Sequence, residues 1–263
     1  MNAKVIVRAL LLAILISITA GCAFRGETPI ATLRYENPSK PASEGKKLLI
    51  FLRGLGGGHE IFQNNGLVDQ VIIRGLPFDM VAPDAHFGYY RDETLGRRLY
   101  EDIIVPARQQ GYTEIWVAGT SLGGLGALFL QIEHPGEVDG IILLSPFLGW
   151  NGIVEEIQSA GGLARWEPGP HTVEDWQRYL WAWIKQYQAR PERVPPIHLG
   201  YGASDLFVSA QDLLATALPE GRTTVVKGGH TYGTLRALWT TYLDRYGPAL
   251  RRPHKEPLTA PPR

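Results

Sequence analysis

Short apolar runs bounded by Gly and Pro alternate, over most of the chain, with longer stretches whose apolar residues recur at helical spacing. The run Leu48-Leu49-Ile50-Phe51-Leu52 shows no polar alternation, so it predicts a strand buried on both faces. Further strands are predicted at residues 78–82, stopped by Pro83, and at 113–118, 140–144, 196–201 and 223–227. Helices are expected at 60–74, at 95–110 before Gly111, and at 121–133. Strands alternating with helices predict an α/β domain over residues 47–247, built on a mainly parallel sheet with helices on both faces. Residues 22–46 are polar, carry Pro29, Pro38 and Pro41, and read as a tether with one early strand at 31–35. Residues 248–263 include five Pro and read as a disordered tail.

Residues 147–190 break this rhythm. They are too many for an ordinary connection and hold Trp150, Trp166, Trp176, Trp181 and Trp183, five of the seven Trp. Thr172 with Asp175 three positions on predicts a capping-box-like helix start. From there Trp176, Leu180, Trp183, Ile184 and Tyr187 fall on one helical face. Such a face either packs on the main domain or roofs a site. A small helical cap is expected here, with Trp176 and Trp183 as candidate pocket residues.

Charge and cysteine content narrow the function classes. Lys plus Arg equals Asp plus Glu at 26 each, with no basic stripe, so nothing points to nucleic acid. Cys22 is the only cysteine, which excludes an intramolecular disulfide and a Cys-based metal cage. No His or carboxylate cluster has metal-ligand spacing, so no metal or other cofactor is expected. The pattern sets no oligomeric state.

The place of Cys22 explains its presence. Lys4 and Arg8 precede an apolar stretch from Ala9 to Ile18, and Thr19-Ala20-Gly21 puts small residues directly before the cysteine. That is the order of a secretory signal segment of residues 1–21. The stretch is too short for a membrane-spanning helix to be the default. It resembles a bacterial lipoprotein signal, although Thr19 departs from the Leu, Val or Ile commonest there. The resemblance implies cleavage before Cys22, lipidation of that residue, and export to the bacterial cell envelope. Ala23 after the cysteine then suits the outer membrane.

The chemistry centres on Gly119-Thr120-Ser121-Leu122-Gly123, which fits G-x-S-x-G between a predicted strand and a predicted helix. A nucleophilic serine on such a turn needs small neighbours, and Gly119, Gly123 and Gly124 supply them. The helix start directs N–H groups and positive dipole at developing negative charge. Here the chain resembles the α/β-hydrolase superfamily, with a likeness spanning roughly residues 47–247. The resemblance implies the chain order Ser, acid, His. His230, after the last predicted strand in Val225-Val226-Lys227-Gly228-Gly229-His230, then takes the place of the base. Asp205, in Gly202-Ala203-Ser204-Asp205 after the strand at 196–201, takes that of the acid. Asp212 is better explained as part of a helix start with Ser209, and Asp84 lies where some relatives carry a secondary acid. The resemblance further places an oxyanion hole at the backbone N–H groups of Leu122 and Leu55, with Gly56 as the next choice for the second donor. Arg53-Gly54 stands where relatives often carry His-Gly.

These residues imply a serine hydrolase that cleaves an acyl ester through an acyl-serine intermediate, acting on a small-molecule acyl substrate. A thioesterase or an acyltransferase would need the same side chains. A non-catalytic, lipid-anchored binding protein on a hydrolase fold is the reading from another class.

Overall fold

The computed structural model describes residues 26–38 and 45–252; the signal segment, Cys22 and residues 253–263 of the expected tail lie outside them. Seven strands form one sheet: β1 Thr32–Tyr35, β2 Lys46–Leu52, β3 Phe78–Pro83, β4 Tyr112–Thr120, β5 Gly140–Leu144, β6 Ile197–Gly202 and β7 Thr223–Val226. Their order is β1-β3-β2-β4-β5-β6-β7. All neighbours pair in parallel except β1 with β3. Each strand expected from the sequence is present.

In chain order the first helices are α1 Ile61–Asn64, α2 Leu67–Ile73, α3 Phe87–Arg91, α4 Leu95–Leu99, α5 Val105–Gln109 and α6 Leu122–Glu133. There follow α7 Asn151–Ser159, α8 Trp176–Ala189, α9 Val208–Ala215 and α10 Tyr232–Leu250. β2 shows why its run is unbroken. Leu48, Ile50 and Leu52 enter one core with residues of α4, α6, α8 and α9, while Leu49 and Phe51 enter another with residues of α1, α2 and α10. Both faces are covered, as a parallel sheet requires.

Three local expectations need correction. The helix expected over 60–74 is two short ones, because Gly66 at φ 74° takes a left-handed turn between them. The helix at 95–110 carries a π turn, Tyr100–Ile104, just before Pro106. Proline has no N–H for the carbonyl four residues back, so the ladder widens there. The cap helix α8 starts at Asp175, whose carboxylate accepts from Arg178 N at 3.3 Å, while Thr172 bonds Glu174 instead. A charged acceptor one residue before the first helical position satisfies an orphan N–H better than a hydroxyl three residues earlier.

Residues 26–38 belong to the folded body. Ile30 is buried with its N–H on Asp102 Oδ2 at 2.8 Å, and buried Asn37 bonds Asp79 and Leu76. At the other end α10 continues through Pro248 to Leu250, whose carbonyl accepts from Lys47 Nζ at 2.9 Å. Because β1 runs antiparallel, its first residue, Thr32, pairs with Pro83 at the end of β3. The chain therefore enters the sheet at the edge where the parallel strands end.

Candidate active site

That same edge gathers the chemistry, as is general for open α/β sheets. Ser121 stands between β4 and α6 at φ 52° and ψ −118°, a conformation a non-glycine residue adopts only when its surroundings impose it. They do. Ser121 N donates to Leu144 O at 3.1 Å, and Ser121 O accepts from Phe147 N at 2.9 Å. A Cβ at Gly119 would run into the Gly123 carbonyl, and one at Gly123 into the Leu52 carbonyl. The close approach that these glycines permit sets the turn's shape.

His230 follows β7 and Asp205 follows β6. The structure brings both to Ser121. Ser121 Oγ lies 3.0 Å from His230 Nε2, and His230 Nδ1 lies 3.1 and 3.0 Å from Asp205 Oδ1 and Oδ2. A neutral imidazole with its proton on Nδ1 donates to the carboxylate and leaves Nε2 to accept from the serine hydroxyl. Asp205 is buried and His230 about one-fifth exposed, so the imidazole faces outward and the carboxylate the interior. Burial pushes the Asp205 carboxyl up, but hydrogen bonds from His230 and from Phe207 N–H hold it below the usual range. The Ser145 hydroxyl stands beside the same carboxylate and adds to the effect, although without a well-formed hydrogen bond.

The rival acids are occupied elsewhere. Asp84 accepts from Arg53 Nε at 2.9 Å, and Asp212 from the Tyr201 hydroxyl at 2.5 Å. Asp212 lies inside α9 rather than at its start, and the cap residue there is Phe207.

Two features escaped the sequence reading. Gln211, fully buried on α9, donates from Nε2 to both Asp205 Oδ1 and Pro146 O at 3.2 Å. Buried Arg53, held by Asp84, also donates to its neighbour's carbonyl, Gly54 O, at 3.3 Å. The Gly54 backbone presses on the serine: a Cβ there would sit 3.1 Å from Ser121 Cβ. Leu55 comes next in this loop, its side chain exposed, and Leu122 opens α6 directly after the serine.

From Leu122 a cavity of about 520 Å³ runs under the cap, with Tyr90, Phe129, Phe147, Trp150 and Trp176 among its walls. Phe147 joins the two parts of the site. Its ring packs on Trp150, Trp176 and Phe207, and Phe207 meets the His230 ring edge-on at 5.3 Å. Glu93 and Glu133 line the wall that α4 and α6 share, where burial and then the nearby Glu93 raise the Glu133 carboxyl. Trp176 therefore stands where a pocket residue was expected. Trp183 does not line this cavity; it stacks on Tyr187 at 6.0 Å. Among the described residues no three His, Cys, Asp or Glu side chains gather as metal ligands, and no helix is long and apolar enough to cross a membrane.

The Esterase family model matches residues 104–241, just over half of the chain. The chain belongs to the Esterase family. The matched span includes Ser121, Asp205 and His230. No curated protein matches the chain in sequence. Among solved structures it resembles S-formylglutathione hydrolase of Staphylococcus aureus, at 13% identity and a TM-score of 0.54, covering 82% of this chain and 94% of that one. A fluorophosphonate-binding serine hydrolase of the same organism, with substrate bound, aligns at 13% identity and a TM-score of 0.55, covering 87% and 99%. A Butyrivibrio proteoclasticus protein with bound ferulic acid aligns at 16% and 0.52, covering 81% and 94%. At these identities the likeness is one of fold, and that fold is the α/β-hydrolase fold. Family and fold together make this Esterase member a hydrolase.

Proposed function

We propose that this Esterase-family chain is a carboxylesterase that works through an acyl-Ser121 intermediate, with His230 as base and Asp205 as its orienting acid. The observation that carries the reading is the unbroken hydrogen-bond path from Ser121 Oγ through both ring nitrogens of His230 to a buried carboxylate. Ser121 Oγ attacks the ester carbonyl carbon while its proton passes to His230 Nε2. The tetrahedral oxyanion is held by the N–H groups of Leu122 and Leu55, a role supported by the helix start at Leu122 and by the loop pressed on Ser121. Collapse breaks the C–O bond, and His230 returns the proton to the leaving alcohol. Water then attacks the acyl carbon, His230 takes its proton, and the second collapse frees the acid and restores the serine hydroxyl. Asp205 stays a carboxylate throughout and stabilises the transient imidazolium.

The aromatic cavity that opens at Leu122 favours an apolar or aromatic group on the substrate. We further propose that Cys22 is lipidated and tethers the enzyme to a membrane of the bacterial envelope. A fluorophosphonate probe should label the wild type and fail on Ser121→Ala. That variant should lose several orders of magnitude in turnover of a p-nitrophenyl ester while its melting curve stays in place. Hydrolysis that survives the substitution would remove Ser121 from the reaction. Cys22→Ser should keep the activity and release the protein from membranes, and an unmodified wild-type N-terminus would refute the anchor.

A further inference from the structure

The described residues expose eight large apolar side chains, and six of them, Leu55, Phe87, Trp150, Val173, Leu206 and Tyr232, lie in segments that follow the carboxyl ends of the parallel strands or on the cavity wall. Phe87, Trp150 and Val173 belong to the cavity walls. Leu206 adjoins Asp205, Tyr232 lies two residues past His230, and Leu55 follows the glycine that touches Ser121. The other two, Ile73 and Val225, lie on α2 and the edge strand β7. Exposed apolar side chains scattered singly need no explanation, but a ring of them around one opening marks an interaction surface.

The N-terminal path says what covers it. Residues 26–31 approach β1 at the edge where the parallel strands end, with Ala31 O bound by Asp84 N at 2.8 Å just past β3. Gly26 packs on the ring of Tyr89, and Glu27 N donates to the Tyr89 hydroxyl at 2.8 Å. Tyr89 sits on α3 with Phe87 and is itself part of the cavity wall. Cys22 is four residues before Gly26, and four residues span at most about 14 Å however they run. An acyl anchor on Cys22 therefore fixes the bilayer within that distance of the cavity wall, on the side of the apolar ring.

We propose that this ring is a membrane-docking face, seated on the bilayer that holds the anchor, so that the enzyme draws acyl esters out of the lipid phase rather than from water. The inference rests on the lipid-anchored esterase reading, and it deepens that reading by naming the source of the substrate. It is tested on the full chain in phosphatidylcholine vesicles, with two readouts. Trp150 emission, taken as the difference between wild type and Trp150→Phe, should be strongly quenched when the acyl chains are brominated. The rate on a long-chain ester dissolved in the bilayer, divided by that on a soluble acetate ester, should fall about tenfold in Leu206→Ser/Tyr232→Ser, as expected for losing two apolar side chains from the lipid contact. The same ratio should hold in Ile73→Ser/Val225→Ser. Unquenched Trp150, an unchanged ratio in the first pair, or an equal fall in the second would each overturn the docking face. Absence of turnover on the soluble ester would count against Ser121 instead, and the quenching readout, which needs no turnover, would still decide the docking.

Discussion

Ser121 and Asp205 are each held by backbone and side-chain contacts that no motif records. The Asp205 carboxylate accepts from His230, Phe207 N–H and Gln211, and Gln211 also grips Pro146 O, one residue before the Phe147 that bonds Ser121 O. Gln211 thus links Asp205 to the segment that braces Ser121, which under the proposed mechanism makes it a positioning residue. Gln211→Ala should lower kcat about tenfold with KM nearly unchanged, the scale of one hydrogen bond to a charged group. Gln211→Glu sets a second carboxyl against Asp205, and like charges resist joint ionisation. Its activity should fall further than that of the alanine variant, with the acid limb of its pH–rate profile moved to higher pH. A purely structural glutamine would lower the melting temperature and leave kcat and the profile in place. Asp205→Asn should cost turnover heavily, whereas Asp84→Asn, which only unpairs Arg53, should cost far less; the reverse order in steady-state assays would move the acid to Asp84.

At the scale of elements, the sheet was legible because a strand buried on both faces announces itself as an unbroken apolar run. β2 carries such a run at residues 48–52 and β5 is one, β3 is broken only by Asp79, and the elbow motif lies where a strand must hand over to a helix. Helix interiors were harder, since Gly66 and Pro106 act through backbone freedom and a missing donor, which periodicity does not weigh. Gln211 was invisible because a lone glutamine in a helix has no partner in sequence. The cap shows both sides of this. Trp176 and Trp183 share a helical face, but seven residues separate them by about 10 Å along the axis. Only the first reaches the cavity, while buried Trp181, off the expected face, anchors the helix by donating to Leu148 O at 3.0 Å. Trp176→Ala should therefore shift the ratio of kcat/KM between short and medium acyl esters about tenfold, the scale of one to two kcal/mol of pocket contact. Trp183→Ala should leave that ratio alone and lower only the melting temperature. A shift of equal size in both would mean that the cap moves as a unit and that its face is not resolved by position.

At the scale of the whole molecule, His198 is a buried titratable group that the proposed reaction does not use. His198 on β6 is 2% exposed, with the Tyr246 ring at 4.2 Å and the Tyr242 ring at 5.1 Å. Arg222 stands 2.6 Å from His198 Nε2, so that nitrogen accepts, and Nδ1 carries the proton without a partner. Burial first, then the positive charges of Arg222 and Arg245, hold the imidazole well below its usual pKa of 6.5. A histidine kept neutral in the fold takes up its proton only on unfolding. The unfolded chain thus binds more protons below about pH 6.5, and stability is full above that value and falls as the pH drops. Between pH 7.5 and 5.5 the loss from this one group should approach about 1.4 kcal/mol, the free energy of protonating an ordinary histidine one unit below its pKa. Glu133, with a raised carboxyl, acts in the opposite sense nearer its own range, so the informative quantity is a difference between variants. His198→Phe keeps the ring packing and removes the titration. Denaturant unfolding at the two pH values should show the wild type losing about that amount more than the variant. Equal losses in both proteins would mean that His198 takes up its proton within the fold, with Arg222 swinging away to make room.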